Sequence, residues 1–204
     1  MQSGFARSFE ELKSHLETFE QVGKGWRGYV FRAKFGDLDL AIKVARSKEV
    51  LDFVKREVRA LSMLSGLEGF PQMRFYGTDF VAYDFIRGEI FKRANLSKEK
   101  KLEVFIKVLE LIQVLDSLGI DKGEMNKLDK NLLVSEDGIY LIDFESSRFD
   151  VKTHNLSRFL QLLLSHGVLS RELAKELGIA YRRGEKWVFK EVKNVLDRAI
   201  RELA

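Results

Sequence analysis

The sequence predicts an α+β chain, β-rich over residues 1–87 and mainly helical over 88–204. Three observations carry this. Short alternating apolar runs at 29–35, 38–44, 73–76 and 80–85 crowd the first part, punctuated by glycine-containing turns. Amphipathic runs at helical spacing dominate the second part from Ser97 onward. Between them, the apolar run Tyr83-Asp84-Phe85-Ile86 stops at Arg87-Gly88, which suits a hinge between a small first domain and a larger second one.

Length and composition set outer bounds. The 204 residues make one or two small domains with room for a substantial core. Hydrophobic residues reach 45%, yet no run is long enough to span a bilayer, and no apolar signal region opens the chain. The expectation is therefore a soluble cytoplasmic protein, and a monomer. Zero cysteines exclude a disulfide framework and cysteine-based zinc or redox chemistry. Thirty-five basic against 31 acidic side chains leave +4, and the pI of about 9.2 admits an anionic partner. Charged residues at 32%, with no Cys and one Pro, fit a heat-adapted source.

In chain order, Ser8 to Glu20 reads as an amphipathic helix. Ser8 and Glu11 form a capping-box pattern, with Phe9, Leu12, Leu16 and Phe19 as the stripe. Gly23-Lys24-Gly25-Trp26-Arg27-Gly28 follows. Three glycines at that spacing let the backbone approach an anion and offer it N–H groups. A dinucleotide fingerprint would need a strand before the glycines and a helix after; here they lead into a hairpin. With Gly36-Asp37 as its turn, Phe35 opposes Leu38, Arg32 opposes Ala41, and Val30 opposes Lys43. Val30, Arg32, Ala41 and Lys43 then share one face, and Phe31, Phe35, Leu40 and Ile42 the other. Val30 and Ala41 can sandwich a flat base while Lys43 reaches for phosphate. Residues 49–64 predict a helix with Glu57 on or beside its buried stripe. A carboxylate there needs a cation, and Lys43 is its natural partner.

Ser97 caps a helix running to Leu118, with Leu102, Phe105, Leu109, Ile112 and Leu115 inward. The segment Gly119 to Ser147 carries chemistry. Leu132-Leu133-Val134, a turn through Asp137-Gly138, and Ile139-Tyr140-Leu141-Ile142 form a hairpin flanked by Asn131 and Asp143. An amide oxygen and a carboxylate are hard ligands suited to Mg²⁺. Three helices follow, near 155–166, 170–177 and 186–203.

Gly23-x-Gly25-x-x-Gly28-x-Val30, Ala41-Ile42-Lys43, Glu57, Asn131-Leu132-Leu133-Val134 and Ile142-Asp143-Phe144-Glu145 resemble the ordered signature of the protein-kinase-like fold. That resemblance implies a bilobal α+β fold with a small N-lobe (1–87) and a reduced, mainly helical C-lobe (88–204). It implies that Gly23, Gly25, Gly28, Val30 and Ala41 surround ATP, and that Lys43, oriented by Glu57, binds its phosphates. Asn131 and Asp143 would hold Mg²⁺. The chain departs from the pattern in three places. Glu145 stands where a D-F-G glycine would be. Asn126, not an aspartate, lies five residues before Asn131. No A-P-E element follows Ser147. Lys122-Gly123-Glu124 is similar to the H-G-D variant of RIO-type and small-molecule kinases, making Glu124 the first candidate to deprotonate an acceptor hydroxyl, Asp121 the second and Asp129 the third.

The chain as a whole is similar to short archaeal proteins of the minimal, RIO-like kinase type. That family resembles the archaeal RNA kinases that phosphorylate a ribose 2′-hydroxyl in tRNA. The resemblance implies an ATP- and Mg²⁺-dependent kinase with tRNA as acceptor. A Ser/Thr protein kinase of RIO-like type and a non-catalytic nucleotide-binding subunit share the same nucleotide-side residues. Nine basic residues between Arg171 and Arg201, set against six acids from 171 onward, with Tyr181 and Trp187 among them, form either a phosphate-tracking surface or a solvated amphipathic face. Composition alone favours the second. Trp26 and Arg27 at the glycine tip are less ordinary, because an exposed indole there calls for a partner.

Overall fold

Alternation of side chains along residues 28–45 builds the first half of the molecule. The computed structural model describes residues 6–203, with the side chains of Met125, Asn126 and Lys127 left aside. In it β2 (Gly28–Phe35) and β3 (Leu38–Ala45) pair antiparallel, with Phe35 opposite Leu38, Arg32 opposite Ala41 and Val30 opposite Lys43. β1 (Thr18–Lys24) adds on one side, and β4 (Met73–Tyr76) and β5 (Phe80–Asp84) on the other. The described sheet runs β1-β2-β3-β5-β4, antiparallel throughout. Ala33, Leu40, Ile42, Phe80 and Ala82 line one face of it and bury Leu12 of the short helix α1 (Phe9–Lys13). The opposite face carries Lys43, towards which α2 (Leu51–Met63) presents Glu57.

The expected helix over 8–20 is corrected. Ser8 does cap α1, accepting from the Glu11 amide, but the helix ends at Lys13 and Thr18 begins β1. Leu12 and Leu16 satisfy helical spacing, yet Thr18, Phe19 and Val22 are strand formers beside the unpaired edge of β2. Pairing there puts Phe19 in edge contact with Phe9 and Phe31, at centroid distances of 6.5 and 5.8 Å. A strand therefore does precede the glycines, and a strand rather than a helix still follows them.

The chain folds as two units. One comprises 1–88 with 142–147; the other comprises 89–141 and 148–204. The segment 142–147, read from sequence as part of the second domain, belongs to the first. In the second unit, β6 (Glu89–Ile90), β8 (Leu132–Ser135) and β9 (Gly138–Leu141) form a small sheet. Ser97 caps α3 (Lys98–Ser117) through the Lys100 amide. α4 (Asn155–Ser165), α5 (Arg171–Arg182) and α6 (Trp187–Arg201) complete it, α5 extending five residues past the expected 177. A two-stranded pair, β7 (Ile120–Asp121) with β10 (Arg148–Phe149), closes the chemistry-bearing loop. No helix among the described residues is long and apolar enough to cross a membrane.

Asn155 holds this loop. It is fully buried, and its amide donates to the Ile120 carbonyl (2.7 Å) and to Asp116 (2.9 Å) while its oxygen accepts from the Lys122 amide (2.9 Å). Tyr181 donates to the other Asp116 oxygen at 2.8 Å, in a site where burial raises the Asp116 carboxyl above its ordinary range. Asn155→Ala strands three buried polar groups. We expect a loss of about 2–4 kcal/mol, read as a shifted urea midpoint at unchanged slope.

Candidate functional site

Glycine-loop geometry follows from one crowded position. Gly25 N–H bonds the Gly28 carbonyl at 2.8 Å and closes the β1–β2 turn around Trp26 and Arg27. Gly28 then passes so close to β3 that a Cβ there would lie 2.1 Å from the Val44 carbonyl oxygen. Only glycine fits. Gly23 sits opposite Val30 across a bulge in β1. Arg46 N–H bonds the Arg27 carbonyl at 2.9 Å, fastening the turn to the end of β3.

Below the turn, β3 delivers Lys43 into a ring of carboxylates. Its ammonium lies 2.9 Å from Glu57, 2.6 Å from Asp143 and 2.6 Å from Glu145. Burial works against that charge, but the three acids overcome it and raise the Lys43 pKa well above its ordinary value. Burial is also the main reason that the Glu57 carboxyl is raised, with Asp143 and Glu145 adding repulsion and Lys43 opposing them. Glu57 is 2% exposed and cannot leave. Phe144, wholly buried against Phe70 with centroids 5.9 Å apart, anchors the segment between Asp143 and Glu145. Asp143 itself has φ +66°, a strained conformation for a residue other than glycine.

The remaining expected residues fall as follows. Val30 and Ala41 lie on the Lys43 face, next to Tyr83, which pairs with Ala41. Arg32 is committed to Asp39 through two bonds of 2.9 and 2.7 Å and stacks on Phe85. Asn131 belongs to the second unit, immediately before β8; it is buried, and its amide nitrogen has no hydrogen-bond partner among the described residues. Glu124 is half-buried, its amide bonding the Lys122 carbonyl, after Gly123 at φ +82°. Lys122 is wholly buried.

Asp121 is unsuited to the base role expected for it. It is fully buried; one oxygen accepts from Arg158 (2.6 Å) and the Gly123 amide (2.9 Å), the other from Arg148 (3.1 Å). Burial pushes its pKa up, but these donors win and lower it. A carboxylate so engaged holds a loop rather than taking a proton. Asp129 is paired with Lys92 at 3.5 Å.

Sequence reasoning missed the partnership of Arg27 with Glu145, at 2.5 Å. Both residues were noticeable, one as a glycine-tip cation and the other in place of a glycine. Nothing in the spacing linked positions so far apart in the chain.

No protein-family model matches this chain. An uncharacterized protein of Methanocaldococcus jannaschii is 30% identical over 98 residues, covering 84% of that protein and 47% of this chain. The chain belongs to that protein's family. Beyond it lie relatives with kinase names. A protein of Acanthamoeba polyphaga mimivirus, provisionally named a serine/threonine-protein kinase, is 27% identical over 63% of this chain. A RasGEF domain-containing serine/threonine-protein kinase of Dictyostelium discoideum is 28% identical over 81% of it. The chain spans only 26% and 18% of the length of these two. The chain is thus similar to proteins with kinase names, and its fold is α+β, built on an antiparallel sheet and six described helices.

The carboxylate ring yields a direct test. Lys43→Met leaves Glu57, Asp143 and Glu145 without their shared ammonium, at an expected cost of about 3–5 kcal/mol at neutral pH. Burial already raises the Glu57 carboxyl, and the variant removes the Lys43 charge that opposes this, so protonation of Glu57 favours the fold. The deficit should shrink as pH falls from about 7 to about 5. Denaturant titrations of both proteins across that range read it.

Proposed function

We propose that this protein is an ATP- and Mg²⁺-dependent kinase that transfers the γ-phosphoryl group to a hydroxyl, with a ribose 2′-hydroxyl of tRNA as acceptor. The observation that carries the kinase reading is Lys43, held by buried Glu57 and beside Asp143, below a turn that only glycine can form at position 28. The part-exposed Asp143 carboxylate is a hard oxygen donor that fits a divalent cation, and the resemblance names Asn131 as a second ligand. Bound there, Mg²⁺ would neutralise charge on the transferring phosphates. Lys43 binds phosphate oxygens, and Glu57 fixes its direction. The Gly25–Gly28 turn covers the phosphates with backbone N–H groups and sheds water. Glu124 takes the proton of the acceptor hydroxyl, while Asp121 with Arg148, Arg158 and Asn155 positions its loop. A loose phosphoryl transition state asks little of a base, so a glutamate in place of the usual aspartate is chemically sufficient.

Support for RNA comes from the resemblance of Gly123-Glu124, Lys130-Asn131 and Ile142-Asp143-Phe144-Glu145 to RNA kinases, and from the cations of α5 and α6. Arg171, Lys175, Arg182, Arg183, Lys186, Lys190 and Lys193 are all exposed, with Trp187 46% exposed among them. The competing reading, a serine/threonine protein kinase, is favoured by the relatives' names.

Radiolabelled ATP offered with bulk tRNA and with protein extract separates the two. We expect label in nuclease-sensitive tRNA, with a rate that falls as salt rises. Label only in protein supports the alternative, and no transfer to either overturns catalysis. Lys43→Ala and Asp143→Ala should each lower transfer at least about 100-fold.

A further inference from the structure

A second cation is built into the glycine turn. The Arg27 side chain is 14% exposed, its guanidinium 4.2 Å from the Phe53 ring centroid and 4.7 Å from that of Trp26. Phe53 and Trp26 meet edge to face at 5.8 Å. These contacts hold a desolvated guanidinium over the same pocket that Lys43 enters. Glu145 lies between the two cations: one oxygen is 2.5 Å from Arg27, the other 2.6 Å from Lys43. The cavity beneath the turn, lined by Arg27, Gly28, Lys43, Phe53, Glu57 and Glu145, is about 10 Å³, room for one water at most.

Resting on the kinase reading above, we propose that Arg27 and Lys43 form a two-cation phosphate clamp in which Glu145 serves as a built-in stand-in for phosphate, displaced when a polyphosphate binds. Charge favours the exchange. Glu57, Asp143 and Glu145 already exceed Lys43 and Arg27 by one negative charge, and a polyphosphate brings several more. Like charges at this spacing in a part-buried site repel strongly. The three acids lie within 4.8 Å of one another and could together hold a cation; of them, Glu57 is locked in α2 and Asp143 is the ligand the resemblance implies. Glu145 is the one whose two oxygens each meet one of the two cations, a bridge that a phosphate can make as well, with more charge. Phe144 is packed in the core, so the release is a rotation of the Glu145 side chain and leaves the backbone in place. A glycine at that position would leave the clamp open to any anion.

The indoles supply a readout that does not need turnover. In a Trp187→Phe background, Trp26 is the remaining tryptophan of two and sits against Arg27. Its fluorescence is titrated with ATP and with inorganic tripolyphosphate, each with and without Mg²⁺. We expect Glu145→Gln, which keeps the shape, to bind both probes about tenfold more tightly, the scale of one charged hydrogen bond no longer in competition. Arg27→Ala should bind both about tenfold more weakly, with partial recovery in Arg27→Lys. Unchanged or weaker binding by Glu145→Gln overturns the clamp, and weakening seen only with Mg²⁺ reassigns Glu145 as a metal ligand. If the parent protein binds ATP while Glu145→Gln fails to tighten it, the kinase reading stands and the clamp alone falls. If the parent binds neither probe, both fall.

Discussion

One ammonium among three carboxylates organises the first unit. Lys43 stands 2.6–2.9 Å from Glu57, Asp143 and Glu145, and these acids come from two separate parts of the chain. Glu57 arrives on α2, which must therefore pack against the sheet face opposite the apolar core. Asp143 and Glu145 arrive on the segment 142–147, held by Phe144 against Phe70. Remove the ammonium and three elements lose their reason to converge. Neither hydrophobic burial nor strand pairing specifies that convergence, because both are satisfied on the other side of the sheet by Leu40, Ile42, Phe80 and their neighbours. A buried ion pair is weak evidence of stability in general, since desolvation offsets attraction. What it supplies here is direction: a point charge fixed below a glycine turn.

Much of this was legible in the sequence because it is local or periodic. The two-residue turn at Gly36-Asp37 set the β2–β3 register, and strict alternation then assigned Val30, Ala41 and Lys43 to one face. Glu57 was identifiable because a carboxylate on an apolar stripe needs a cation. The end of α1 was not legible, since Leu16 and Phe19 fit a helix as well as a strand. The deciding partner, the open edge of β2, lies well beyond the window that periodicity reads. Arg27–Glu145 was illegible for a similar reason, being a contact across 118 positions with no pattern to announce it. Asp121 shows the opposite error. Its place before Gly123-Glu124 suggested chemistry, but charge type alone does not reveal that two arginines and an amide already occupy its oxygens.

That clamp on Asp121 bears on how the second unit divides its work. Asn155 ties Ile120, Lys122 and Asp116 together, while Arg158, from the same helix, ties Asp121. One turn of α4 thus fixes both sides of the strand that leads into Gly123-Glu124. A loop so fastened at its base can carry a side chain just past the last fixed residue with its position inherited. Glu124 stands at that place, while the Asp121 oxygens are spent on the fastening itself.

Glu145, standing where the resembled pattern has a glycine, follows the same economy of degrees of freedom. A glycine after Asp143-Phe144 would place conformational freedom in the backbone, so that the aspartate itself could swing. Here Phe144 is buried, Asp143 already occupies a strained φ, and the freedom moves outward into the side-chain torsions of Glu145. A rotamer change costs far less than refolding a segment and leaves Asp143 in position throughout. It also ties closure of the turn to what lies between the cations, because Arg27 sits on the β1–β2 turn while Lys43 sits on β3. Any anion that satisfies both must bridge turn and sheet. A group with a single charged oxygen cannot do so, whereas a carboxylate or a phosphate can. Selection for a bridging anion is thus written into the spacing of two cations and needs no contact with a base or a sugar.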